Sequence, residues 1–174
     1  IGIAADPNFS TNGYLYLLYT HENTPGANLA GAKTGRLVRV TVVGDTADET
    51  TKTIILGSVG GELATPSCEN YAVTSDCIPS DSPSHSVGGL RFRTDGKLYV
   101  SLGDGAHYEY VDPRAQRAQN LDSLAGKILR INTDGTHSPE RIVDILASVI
   151  LCISVPYSLS IDVLTSPLLS SRGS

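Results

Sequence analysis

His85 and Asp104 are the two side chains of this sequence whose types and placement could move a proton. A neutral imidazole accepts a proton near neutral pH, and a carboxylate beside it fixes the ring's tautomer and raises its basicity. The two are far apart in sequence, but the stretch that joins them, VGGLRFRTDGKLYVSLGD from Val87 to Asp104, reads as two strands and a tight turn. Leu90 and Phe92 alternate with Arg91 and Arg93, and Leu98, Val100 and Leu102 share one face of the next run. Thr94-Asp95-Gly96 is the turn signal between them. Antiparallel pairing sets the start of one strand beside the end of the other. His85, just before the first strand, and Asp104, just after the second, are therefore expected at one sheet edge as a general-base pair. The plainer alternative is a turn aspartate capping backbone N–H groups beside a surface histidine.

Two connections carry further polar groups. Residues 105–125 offer His107, Tyr108, Glu109, Tyr110, Arg114, Arg117, Gln119 and Asn120, with a helical turn expected from Asp112-Pro113 through Arg114–Ala118. Residues 57–86 form a long segment without periodicity, of the length at which loops are often functional. It holds Cys68 and Cys77, which suit a local disulfide in an exported protein better than a metal site, since no second Cys or His pair completes a tetrahedron. Cys152 lies in an apolar run and reads as a buried thiol. Lys127 and Arg130 read as solvent-facing charges around a strand.

The elements that must hold these groups are short strands. The chain has 174 residues and 17 glycines, and its net charge of -5 argues against a nucleic-acid partner. Strands are expected over residues 1–5, 14–20, 35–43 and 52–56, with turns at Asp6-Pro7-Asn8, Asn12-Gly13 and Gly44-Asp45. A repeat then appears. Residues 1–20 align with 87–104, each as strand, Gly-containing turn and strand with a tyrosine near its start (Tyr16 and Tyr99). GRLVRVTVVGD at 35–45 aligns with GKILRINTDG at 126–135. Such units, unable to bury both sheet faces alone, stack radially in propellers. From Ser138 the pattern stops. Residues 145–161 carry no formal charge but are short for a membrane span and contain Pro156, so a span is not expected there. The chain opens directly in an apolar strand, as if part-way through a domain.

Three motifs together, GIAADPNFSTNGYLYLLYT, HSVGGLRFRTDGKLYVSLGDG and AQNLDSLAGKILRINTDG, resemble the glucose/sorbosone dehydrogenase family of soluble sugar dehydrogenases that use pyrroloquinoline quinone. They follow the family's order and cover roughly residues 1–135. The run DPRAQRAQNLDSLAGKILRI is similar to that of large secreted members. The resemblance implies an all-β fold, a six-bladed propeller of four antiparallel strands per blade. Residues 1–137 would form about two blades, and 138–174 a divergent apolar tail outside the fold. It also implies pyrroloquinoline quinone near the central axis, a Ca2+ ion that polarises it, a small-molecule sugar substrate and an electron acceptor. His85 matches the histidine that takes the sugar's C1 hydroxyl proton while hydride passes to the quinone, and Asp104 matches the aspartate that orients it. A secreted or periplasmic location follows from the family and from the Cys68–Cys77 pairing.

The departures from the family pattern set a limit. Some members carry Asp immediately before the base, where this chain has Ser84. A glutamine upstream of the first motif, an Arg-Asn pair after the last one, the later lysine and arginines of the quinone site and the calcium loop have no counterpart. Two blades cannot close a ring, and open edges would remain. Little dehydrogenase activity is therefore expected of these residues alone. The alternative function is a non-catalytic, propeller-derived carbohydrate- or protein-binding module.

Overall fold

The computed structural model describes residues 1–23, 33–58, 68, 76–80 and 82–133. They form two antiparallel sheets. The first is a meander of β1 (Gly2–Ala5), β2 (Tyr14–Glu22), β3 (Lys33–Val43) and β4 (Thr46–Leu56), with β5 (Ile78–Pro79) on the same edge of β3. The second runs β6 (Val87–Phe92), β7 (Leu98–Leu102) and β8 (Ile128–Ile131). A one-turn helix, α1 (Phe9–Asn12), lies between β1 and β2, and a 3-10 helix, Pro113–Gln119, lies between β7 and β8. The architecture is mostly β and consistent with part of a propeller-like fold; the described residues do not close into a ring. The apolar run 145–161 and the expected break at Ser138 lie outside the described residues. Among the described residues no helix is long and apolar enough to cross a membrane.

Sequence pattern explains both sheets. In β7 the period-two face Leu98, Val100 and Leu102 is buried, while Tyr99 and Ser101 are half-buried on the other face. Gly96, at φ +72, closes the β6–β7 turn, and Asp95 Oδ1 accepts the Lys97 amide at 3.0 Å. In β3 alternation fails: Leu37 and Val38 are both buried, one on each face, because β3 is central between β2 and β4. The first face of the core, with Tyr16, Leu18 and Leu37, meets Leu98, Val100 and Leu102 of the second sheet. Tyr16 and Phe92 close the seam edge to face, ring centroids 5.3 Å apart.

The two repeat units share their order, β1-β2-β3 and β6-β7-β8. They differ from expectation at three places. Strand β4 begins at Thr46 rather than residue 52, because its first residues are polar and exposed on both faces and give no periodic signal. The turn after β1 includes α1, capped by Gly13 in the left-handed region. Lys127 is buried, contrary to the reading of it as a solvent-facing charge. Its ammonium donates to the carbonyls of Ala118 and Ala125 at 2.7 and 2.9 Å, and desolvation pulls its pKa below the ordinary lysine value. Arg130 is half-buried and paired with Asp95 at 3.0 Å.

Candidate active site

The hairpin brings His85 and Asp104 together. His85 Nδ1 lies 3.4 Å from Asp104 Oδ1, with the histidine side chain 43% exposed. That Oδ1 also accepts the Ala106 amide at 2.9 Å, so the carboxylate is fixed by its own turn. A carboxylate on the Nδ1 side favours the proton on that nitrogen. Nε2 is then the ring's acceptor.

The backbone is built to hold this pair. Beyond Leu102 the central strand continues as Gly103, whose amide donates to Ser86 O at 2.7 Å and whose carbonyl accepts from Gly126 N at 2.8 Å. A Cβ on Gly103 would lie 2.0 Å from His85 O, so only glycine lets the histidine's main chain come this close. Gly105 takes a left-handed φ of +69 and donates to His85 O at 2.7 Å. His85 itself has φ +52, a region sparsely used by side-chain-bearing residues and often found at functional sites. The glycines around Asp104 thus hold the histidine's backbone in a conformation it would not choose alone.

Neighbouring elements brace the loop. Arg117, from the 3-10 helix, donates through Nε to Asp104 O at 2.9 Å. Ser82 and Ser84 both donate to Ala106 O, at 2.9 and 3.1 Å. Ser84, standing where some family members have a carboxylate, is therefore spent on structure. Pro79 of β5 packs beside Gly105. A Cys68–Cys77 disulfide precedes that strand and ties it to the preceding segment. The cross-link is consistent with an extracytoplasmic environment.

Sequence reasoning placed His85 and Asp104 at one edge, and they lie there. It grouped the loop's polar residues without separating their tasks. Asp112 is the anchor: it caps the 3-10 helix, accepts His107 N at 2.9 Å, and pairs with Arg114 at 2.6 Å. The Arg114 guanidinium holds its carboxyl well below the usual carboxylate range. Above that anchor His107 stacks on Tyr110 (4.4 Å) and Tyr108 (5.5 Å), and both tyrosines are largely exposed. Gln119 and Asn120 close the 3-10 helix, where Asn120 N donates to Arg117 O and its side chain accepts from Asp122 N. The signals that could have found the braces were the glycines flanking Asp104 and the Ser-Pro-Ser-His-Ser spacing before β6.

A family model described as Glucose / Sorbosone dehydrogenase matches residues 1–143. The chain belongs to this family. The match takes in both repeat units and every residue of the His85–Asp104 site. Its implied cofactors can be tested against the residues present. The imidazole of this site is half-exposed, with Nδ1 3.4 Å from a carboxylate oxygen. Among the described residues no three or more His, Cys, Asp or Glu side chains are grouped so as to hold a metal ion.

Proposed function

We propose that this chain carries the proton-accepting site of a quinone-dependent sugar dehydrogenase acting on the C1 hydroxyl of an aldose. The 3.4 Å approach of His85 Nδ1 to Asp104 carries the reading. Nε2 of His85 accepts the hydroxyl proton as the C1–H bond breaks, and C1 becomes a carbonyl carbon. Asp104 orients the ring and stabilises the imidazolium that forms. Pyrroloquinoline quinone, when bound, supplies the hydride acceptor. The exposed faces of Tyr108 and Tyr110, a few residues beyond Asp104, suit the apolar face of a sugar ring, and their hydroxyls suit its polar rim. No step is assigned to Ca2+.

The test is saturable quinone binding, followed by dye-linked oxidation of aldoses in the presence of quinone and Ca2+. The rate is expected to be small, and its dependence on His85 is the readout. His85→Ala should lower turnover by about 10²–10⁴-fold, the usual share of a positioned base, while quinone binding persists. A folded chain that binds no quinone contradicts the proposal.

A second reading, a carbohydrate- or protein-binding module without turnover, is favoured by Ser84, whose hydroxyl is committed to Ala106 O. It predicts ligand binding with no oxidation in either the wild type or His85→Ala.

A further inference from the structure

We infer that Asn8 is an N-glycosylation site on the rim opposite the His85–Asp104 pair. Asn8-Phe9-Ser10 satisfies the acceptor pattern of Asn, any residue but proline, then Ser or Thr. Pattern alone is weak, so the surroundings decide. Asn8 is exposed, and although it stands at the N-cap of α1 its side chain makes no capping hydrogen bond. Its backbone is held instead: its N–H donates to Asp6 Oδ1 at 2.9 Å, and its carbonyl accepts from Thr11 and Asn12. The amide is thus presented on a fixed turn with nothing to lose by modification. Ser10 is also exposed.

Two independent features support this. The Cys68–Cys77 disulfide fits the oxidising lumen in which such transfer occurs. The location is also permissive. Gly2, at the start of β1, lies beside Gly88 and Leu90, near the His85 end of β6. The end of β1 therefore points away from the site. Asp6 there approaches Tyr16, whose hydroxyl donates to Thr133 O at 2.8 Å, just past β8. Leu98 pairs with Ile131 at this same end, while Asp104 follows the other end of β7. A glycan on Asn8 would leave the proton-transfer site open and would stand beside the part-exposed Phe9 at the far rim.

The transfer balances without redox change. The Asn8 side-chain nitrogen attacks the anomeric carbon of a polyprenyl-diphosphate oligosaccharide. A C–N bond forms, the C–O bond to the diphosphate breaks, and the amide proton leaves to solvent. The cell's transferase supplies the catalysis.

The full chain, exported through the secretory pathway of a eukaryotic cell with a cleavable leader, should carry an oligosaccharide. Digestion with peptide N-glycosidase in water enriched in oxygen-18 should convert Asn8 to Asp carrying the heavy oxygen in the recovered peptide. Asn8→Gln and Ser10→Ala should each abolish the glycan, and Ser10→Thr should keep or raise its occupancy. Among the described residues Ser10 makes no hydrogen bond through its side chain and is exposed, so its variants guard against misfolding as the cause. Export of disulfide-bonded chain with unmodified Asn8 would overturn the inference.

Discussion

The two repeat units place the same elements in the same order and use them differently. In the first, the residue just past β2 is Asn23, which is buried and meets buried Thr34 at 3.2 Å. In the second, the residue two past β7 is Asp104, which meets a half-exposed His85. One pair is neutral, enclosed and spent on the fold; the other is titratable and open. The tyrosines repeat the contrast. Tyr16 is fully buried against Phe92, and desolvation raises its pKa, whereas Tyr99 reaches exposed Asp95. The second unit differs in that its strand ends carry charge to the rim and its glycines let two backbones touch.

That contrast can be broken most severely at Gly103. Gly103→Ala sets a Cβ, whose position the backbone fixes, against the main-chain oxygen of His85, so neither can swing aside. Overpacking of this kind costs about 1–3 kcal/mol or more. Urea unfolding should show the loss, and the His85–Asp104 contact should open. Thr34→Val tests the first unit: it leaves the buried Asn23 amide short of a partner, at about 1–3 kcal/mol, and should leave turnover unchanged. A smaller difference separates the tyrosines. Tyr16→Phe removes the bond to Thr133 O and should cost about 1 kcal/mol, while Tyr99→Phe, on the surface, should stay within about 0.5 kcal/mol. Thermal melts of the pair check this.

The smallest expected effect is in acid. The Asp112 carboxyl has its pKa lowered in the folded chain, first by Arg114. Its stabilising contribution is therefore complete above the ordinary carboxylate range and is lost only as pH falls through the lower folded value. Amide exchange at His107 and Arg114 should stay slow at mildly acidic pH and quicken only well below that range. Early loss would mean that Asp112 is not the loop's anchor.

Much of this arrangement was legible in the residues. The β6–β7 hairpin was, because Leu98, Val100 and Leu102 keep one face and Asp95-Gly96 marks the turn. The His85–Asp104 juxtaposition followed from antiparallel pairing alone. The length of β4 was not legible, since Thr46–Thr53 shows no buried face to set a period. Lys127 was misread because a buried ammonium leaves no pattern; only the backbone carbonyls that meet it explain its place. The serine braces and the left-handed φ of His85 arise from tertiary contacts that no local window contains.

The most direct measurement of the central claim is chemical rescue of His85→Ala. With quinone, Ca2+ and an aldose present, added imidazole should restore oxidation in a saturable way, because a free base can occupy the space that the side chain has left. Wild-type turnover by His85→Ala before any imidazole is added would contradict the claim that His85 accepts the proton.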